Sequence, residues 1–184
     1  MIKLYGGQFS RASIVHWYLE ETGIPYEFIR LDMQAGEHRQ PEFLAINPFG
    51  KVPTIVDADL QLFESGAILM YLADRYAKAF ATPEERAQAN QWVLFANSTL
   101  ATGVFVEASR AKEMPILMGG LEQIFANQDY ILGSAFSVAD VALGAMLNYI
   151  PMMLKLDLSA YPQVVEYMQR VAARPAFQQT IANR

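Results

Sequence analysis

The chain has 184 residues, 53% of them hydrophobic, with a formal charge of −5 and a pI near 5.0. That length suits two compact halves, and the absence of any lysine or arginine block removes the electrostatic footprint expected for nucleic acid or an anionic membrane surface. Cysteine is absent, which excludes disulfide frameworks, thiolate metal sites and any mechanism using a protein thiol, so a reacting sulfur has to come from a ligand.

Met1 leads straight into the short apolar run Ile2-Lys3-Leu4-Tyr5 with no leader-like pattern, so the cytoplasm is the expected compartment. Residues 2–5 read as a strand. Gly6-Gly7 opens a turn, and Ile14, Val15, Tyr18 and Leu19 then fall on one helical face. After Gly23 and Pro25, Tyr26 to Leu31 reads as a second strand, which completes a βαβ unit with parallel strands. Asp32 to Asn47 is polar, with one helical turn expected at Pro41 to Ala45. Pro53 to Asp57 and Leu60 to Phe63 read as antiparallel strands around a tight Ala58-Asp59 turn, followed by a helix from Ser65 to Tyr76.

Beyond that helix the strand signals stop. Residues 1–77 form the expected first domain, 78–82 a linker and 83–184 an all-helical domain, opened by Pro83-Glu84-Glu85 because proline and acids suit a first helical turn. Breaks are expected at Met114-Pro115, Gly119-Gly120, Gly133, Asp157 to Pro162 and Pro175. The longest apolar stretch, Val141 to Leu154, contains Asn148 and Pro151 and falls short of the roughly 20 apolar residues a bilayer helix needs. No membrane span is expected. Ser137-Val138-Ala139-Asp140 reads as a capping box, with Phe136 as a hydrophobic staple onto Val141.

The βαβ–ββα order is that of the thioredoxin fold. With it, Asn47-Pro48-Phe49-Gly50-Lys51-Val52-Pro53, Leu62-Phe63-Glu64-Ser65-Gly66-Ala67-Ile68 and Tyr71-Leu72-Ala73 resemble the glutathione-site signature of cytosolic glutathione S-transferases. Gly36 to Leu44 resembles the matching stretch of serine-type, theta- and phi-like or bacterial classes. Leu132-Gly133 and Phe136 to Asp140 resemble the capping motif of that family's helical domain. The resemblance covers nearly the whole chain.

The resemblance implies a cis bond before Pro53, with the backbone of Val52 offered to the cysteinyl unit of glutathione. Glu64 would take the γ-glutamyl ammonium, while the Ser65 hydroxyl and the free helix amides hold its carboxylate; Ser65 can also cap its helix. His38, Arg39 and Lys51 lie at the positions of the family's cationic side, toward the glycyl carboxylate, although a loop histidine beside an arginine is ordinarily solvated surface.

Catalysis requires the thiolate, because a free thiol with a pKa near 8.5 is mostly protonated at neutral pH. Ser10, at the beginning of the first helix, is the first choice of donor, and Arg11 could stabilise the same sulfur by charge. Ser13 and Tyr5 are rivals, and the alternative for Ser10 is a plain helix cap. Gly7 to Ser13 matches no single class closely. His16 receives no role.

Phe9, Phe105 and Met114 are the expected lining of an open electrophile pocket, although such side chains also fill cores. Phe49 is either an interface aromatic of a homodimer or core packing. The reading is thus a transferase conjugating glutathione, as co-substrate and without metal, to small hydrophobic electrophiles in a detoxifying role. Its alternatives are peroxidase activity toward organic hydroperoxides, a non-catalytic binding module and a carrier of apolar ligands.

Overall fold

The computed structural model describes residues 1–183. The chain divides into two compact units, one made of residues 1–78 together with the segment from Pro175 onward, the other of residues 79–174.

The first unit runs β1 (Ile2–Gly6), α1 (Ala12–Thr22), β2 (Tyr26–Arg30), α2 (Pro41–Leu44), β3 (Thr54–Asp57), β4 (Leu60–Phe63) and α3 (Ser65–Arg75). The strands lie in the order β2-β1-β3-β4. β1 and β2 are parallel, with Ile2 opposite Tyr26, and β3 is antiparallel to both β1 and β4. A helical crossover between β1 and β2 permits their parallel pairing, whereas the tight turn at Ala58 and Asp59 makes β3 and β4 a hairpin. Ile2, Leu4 and Ile55 of the sheet are buried, as are Ile14, Val15, Trp17, Tyr18 and Leu19 of α1 and Ile68, Leu69 and Leu72 of α3. α1 crosses the end of β1 closely: a β-carbon on Gly6 would sit 2.6 Å from that of Ala12. The helix stops at Gly23, whose left-handed backbone (φ 65°) lets its N–H bond back to the Leu19 carbonyl.

The second unit is helical: α4 (Pro83–Leu94), α5 (Ala101–Phe105), α6 (Glu107–Phe125), α7 (Val138–Tyr149) and α8 (Pro162–Ala172), with π-type turns over 95–100 and 150–154. The expected breaks at Pro115 and at Gly119-Gly120 do not occur, because α6 runs through both. A proline inside a helix costs about 3 kcal/mol; here the stripe Met118, Leu121 and Phe125 is buried beyond it, and nothing lies within 4 Å of the missing β-carbons of Gly119 and Gly120. Packing outweighs local propensity. The chain bends instead at Val106, which is extended (φ −84°, ψ 114°). From α6, the Glu122 carboxylate accepts the first free amides of α8, from Gln163 and Val164, both at 3.0 Å.

The sequence reading assigned everything after residue 83 to the helical half, yet the last segment belongs with the first unit. There α9 (Pro175–Phe177) and the π-type turn 178–182 lie along α1. Phe177 packs edge-on against Trp17 at 5.0 Å, and Phe177, Thr180 and Ile181 are buried. Their apolar contact with α1 explains the return, which no local breaker or cap could announce. Among the described residues, no helix is long and apolar enough to cross a membrane.

Candidate functional site

The loop between α2 and β3 is shaped by a residue given no role at the sequence level. Asn47 is fully buried. Its Nδ2 donates to the Lys51 carbonyl at 2.9 Å and to Thr54 Oγ1 at 3.0 Å, and its Oδ1 accepts the Phe49 amide at 3.1 Å. Thr54 Oγ1 donates in turn to the Lys51 carbonyl at 3.0 Å. Every hydrogen-bonding atom of the carboxamide is thereby used inside the loop, which pins both ends of residues 47–54. Gly50 closes the turn at φ 58°, where a β-carbon would stand 2.8 Å from the His38 carbonyl oxygen. Held in this frame, the Val52–Pro53 peptide is cis, and the main-chain groups of Val52 make no hydrogen bond among the described residues.

Across from this loop, β4 turns into α3 at Glu64, a non-glycine residue at φ 71° and ψ 117° with no side-chain capping bond. Such a conformation costs on the order of 1–3 kcal/mol and persists only where its surroundings enforce it. Its effect is to set an exposed carboxylate beside the buried Ser65 and the first turn of α3. Arg11 approaches at the start of α1, exposed and without a capping bond. A cation at a helix N-terminus opposes the helix dipole, so this placement is not explained by helix stability.

Arg11, Lys51, Val52, Pro53, Glu64 and Ser65 line one cavity of about 460 Å³, walled by Phe49 and Phe63. Those aromatic rings meet edge to face at 5.4 Å, with Phe49 66% exposed. The cavity carries two cations, one carboxylate, a helix N-terminus and an unpaired strand-like backbone segment. It is built for an extended, zwitterionic, net-anionic ligand.

Other candidates lie elsewhere. Ser10 donates its hydroxyl proton to the Gly7 carbonyl at 2.7 Å and accepts the Gly7 and Ala12 amides at 3.3 Å; it lines a second cavity with Phe9 and Ser13. Tyr5 lies against Phe43 at 5.6 Å and lines a third. His38 and Arg39 form a short 3₁₀ turn with Glu37. Neither lines the 460 Å³ cavity, and the buried Nδ1 of His38 has no hydrogen-bond partner. Phe105 and Met114 are half-buried residues of α5 and α6 in the helical unit. Among the described residues, no cluster of three or more His, Asp or Glu side chains could hold a metal ion.

The first unit is thioredoxin-like and carries a cis-proline loop, and a helical unit follows it in the chain. Residues 1–74 match the family model described as glutathione S-transferase, N-terminal domain, and residues 90–184 the one described as glutathione S-transferase, C-terminal domain. The chain is 31% identical to glutathione S-transferase 3 of Zea mays, over 98% of this chain and 93% of that one. It is 32% identical to the disulfide-bond oxidoreductase YfcG of Escherichia coli strain K12, over 98% and 94%. A solved structure of the theta class glutathione S-transferase of Xanthomonas axonopodis pv. citri, with glutathione bound, superposes with a TM-score of 0.82 at 30% identity, covering 98% of this chain and 96% of that one. The chain belongs to the glutathione S-transferase family and is a glutathione transferase.

Proposed function

We propose that the protein conjugates glutathione to small hydrophobic electrophiles, in a cytoplasmic, detoxifying role. The observation that carries this reading is the convergence of Arg11, Lys51, Val52, Pro53, Glu64 and Ser65 on one cavity. The Val52 backbone pairs with the cysteinyl unit, Glu64 takes the γ-glutamyl ammonium, and Ser65 with the amides of α3 takes the neighbouring carboxylate. Lys51 meets the glycyl carboxylate, and His38 and Arg39 remain the proposed further members of this cationic side.

Arg11 is the group we assign to the thiolate. Its guanidinium lowers the thiol pKa by favouring the charged form, and the displaced proton passes to solvent. The sulfur then attacks the electrophilic carbon and the leaving group departs with the bonding electrons. Ser10, whose proton is committed to Gly7, braces the loop that carries Arg11. Phe9, Phe105 and Met114 remain the proposed electrophile contacts, and exposed Phe49 the proposed interface aromatic of a homodimer.

Identity to the disulfide-bond oxidoreductase supports a second reading. The thiolate of bound glutathione attacks a small disulfide, expelling one thiolate, and a second glutathione resolves the mixed disulfide to oxidised glutathione and a second thiol. This exchange needs no protein cysteine. The same thiolate serves peroxidase chemistry, in which two glutathiones reduce a hydroperoxide to alcohol and water.

Calorimetric titration with glutathione, with thiolate absorbance followed against pH, tests the reading. Saturable binding with a lowered thiol pKa is expected. Arg11→Ala should return that pKa upward by about 1–2, whereas Ser10→Ala should move it less. A pKa that reverts in Ser10→Ala and stays low in Arg11→Ala transfers the role to the serine, and absence of saturable binding at millimolar glutathione sinks the transferase reading.

A further inference from the structure

The segment that leads into the cis-proline loop borders a cavity on the sheet. Along β1 the buried Ile2 and Leu4 alternate with Lys3 and Tyr5, so Tyr5 stands on the opposite face of the sheet. There Tyr5 and Leu31 line a cavity of about 400 Å³, and Phe43 and Ile46 supply its remaining apolar wall. The rings of Tyr5 and Phe43 are tilted by 49° to each other, with centroids 5.6 Å apart.

The charges of this cavity favour a cation. Glu37 and Glu42 line it, and no lysine, arginine or histidine does so among the described residues. Glu42 is exposed and makes no hydrogen bond or ion pair among those residues. Glu37 accepts the Asp32 amide with one oxygen, at 2.7 Å, and leaves the other unbonded. The Tyr5 hydroxyl makes no hydrogen bond among the described residues either. Lys3 and Arg39 are exposed and lie outside the lining. Aromatic faces and carboxylates both attract a cation and repel an anion, so an apolar cavity furnished this way is complementary to a ring carrying an ammonium group.

The same residues lead directly into the loop of the 460 Å³ cavity. The Phe43 carbonyl accepts the Asn47 amide at 2.9 Å, and the Asn47 carbonyl accepts the Gly50 amide at 3.0 Å. α2 has only four residues, too few for its own hydrogen bonds to hold it, so its position rests on packing against the sheet. A ligand that touches Tyr5 and Leu31 on the sheet and Glu42 and Phe43 on the segment ties the two together. We propose that this cavity is an effector site for an arylalkyl ammonium ion, and that its occupancy strengthens glutathione binding by fixing the segment 37–46. The ammonium pairs with the Glu42 and Glu37 carboxylates and donates to the Tyr5 hydroxyl, while the ring lies against Phe43, Leu31 and Ile46. The ion is not turned over; it acts on the loop, and because coupling is reciprocal, glutathione must strengthen its binding by the same factor. The ammonium site stands on this cavity alone, whereas the coupling rests on the reading of the 460 Å³ cavity as the glutathione site.

The test is fluorescence titration of the full-length protein with 2-naphthylmethylamine, with and without saturating glutathione, paired with calorimetric titration of glutathione with and without the amine. Saturable amine binding at one site per chain is expected, and each ligand should tighten the other by about fivefold. Glu42→Gln should weaken amine binding by about fivefold or more, and the neutral 2-naphthalenemethanol should bind wild type and this variant alike. Because Glu42 is exposed and lies outside the 460 Å³ cavity, the variant should keep the circular dichroism spectrum and the amine-free glutathione affinity of wild type. Glu64→Gln should leave amine binding unchanged. Displacement of the amine by glutathione, equal amine affinity in wild type and Glu42→Gln, or no saturation at millimolar amine would each overturn the site. Amine binding that leaves glutathione affinity unchanged would overturn the effector role. Absence of glutathione binding would overturn that role together with the transferase reading, while the ammonium site would stand.

Discussion

A serine stands at the start of both α7, as its cap Ser137, and α3, as its first residue Ser65, and the two starts are built to opposite ends. At α7, Asp140 is fully buried and its carboxylate accepts the Ser137 amide at 2.9 Å, the Ser137 hydroxyl at 2.7 Å, the Ile131 amide at 2.8 Å and the Tyr167 hydroxyl at 3.1 Å. At α3, the cap residue Glu64 makes no capping bond, stays exposed and holds a left-handed backbone. One junction satisfies itself from within its own unit; the other keeps its carboxylate facing a cavity. The contrast separates a motif that builds the fold from one that meets a ligand, although both read as serine-led helix starts in the sequence.

Breaking the closed junction should have the largest effect. Asp140→Ala removes the acceptor of the buried Ile131 amide and Tyr167 hydroxyl and of the half-buried Ser137 amide and hydroxyl, and urea unfolding should show a loss of roughly 3–5 kcal/mol. A loss under about 1 kcal/mol would mean that water replaces the carboxylate and that the junction is not closed. The open junction should respond in the reverse sense. Glu64→Gly removes the strain of a positive φ and should raise stability by about 1 kcal/mol or less, since glycine also adds unfolded-state entropy. The same change should weaken glutathione binding tenfold or more. If stability and affinity fell together, the strained backbone would be a packing feature rather than a ligand device.

The sequence carried the βαβ–ββα order of elements, the hairpin and the strand-to-helix junction, because their signals are local: period-two apolar runs, the Gly23 stop, and serine at a helix start; the antiparallel pairing of β3 with β1 joins distant stretches and was not among them. It misjudged α6, where breakers at Pro115 and Gly119-Gly120 were overridden by a stripe buried beyond them. It could not foresee that Phe177 and Ile181 return to α1, since their contacts lie far away in the chain. Of the residues lining the 460 Å³ cavity, Lys51, Val52, Pro53, Glu64 and Ser65 stood out in the sequence through the resemblance carried by 47–53 and 62–68. Which side of their loop Ser10 and Arg11 face was not, because neighbours in an irregular loop follow no period. The bracing role of Asn47 had a weak signal, a polar residue opening a rigid turn.

The smallest expected effect sharpens the comparison by pH. Burial raises the Asp140 pKa above its ordinary value of 3.8, against the opposing pull of its four hydrogen bonds. The folded state therefore holds the Asp140 proton more tightly than the unfolded chain does. This contribution to stability is fully present below the unfolded pKa and is lost as pH rises through the raised folded value. Asp57 works in the opposite sense: hydrogen bonds from Tyr76 and Tyr71 lower its pKa, so its contribution is present above the unfolded value and lost as pH falls through the folded one. The two windows lie on opposite sides of the unfolded value, that of Asp57 below it and that of Asp140 above it. Urea unfolding of wild type and Asp140→Asn from pH 4 to 7 isolates the first term, and the gap between them should change with pH in the direction of wild type losing ground as pH rises. A constant gap would show that the four donors fully offset the burial, leaving Asp140 with an ordinary pKa inside the most enclosed polar cluster of the helical unit.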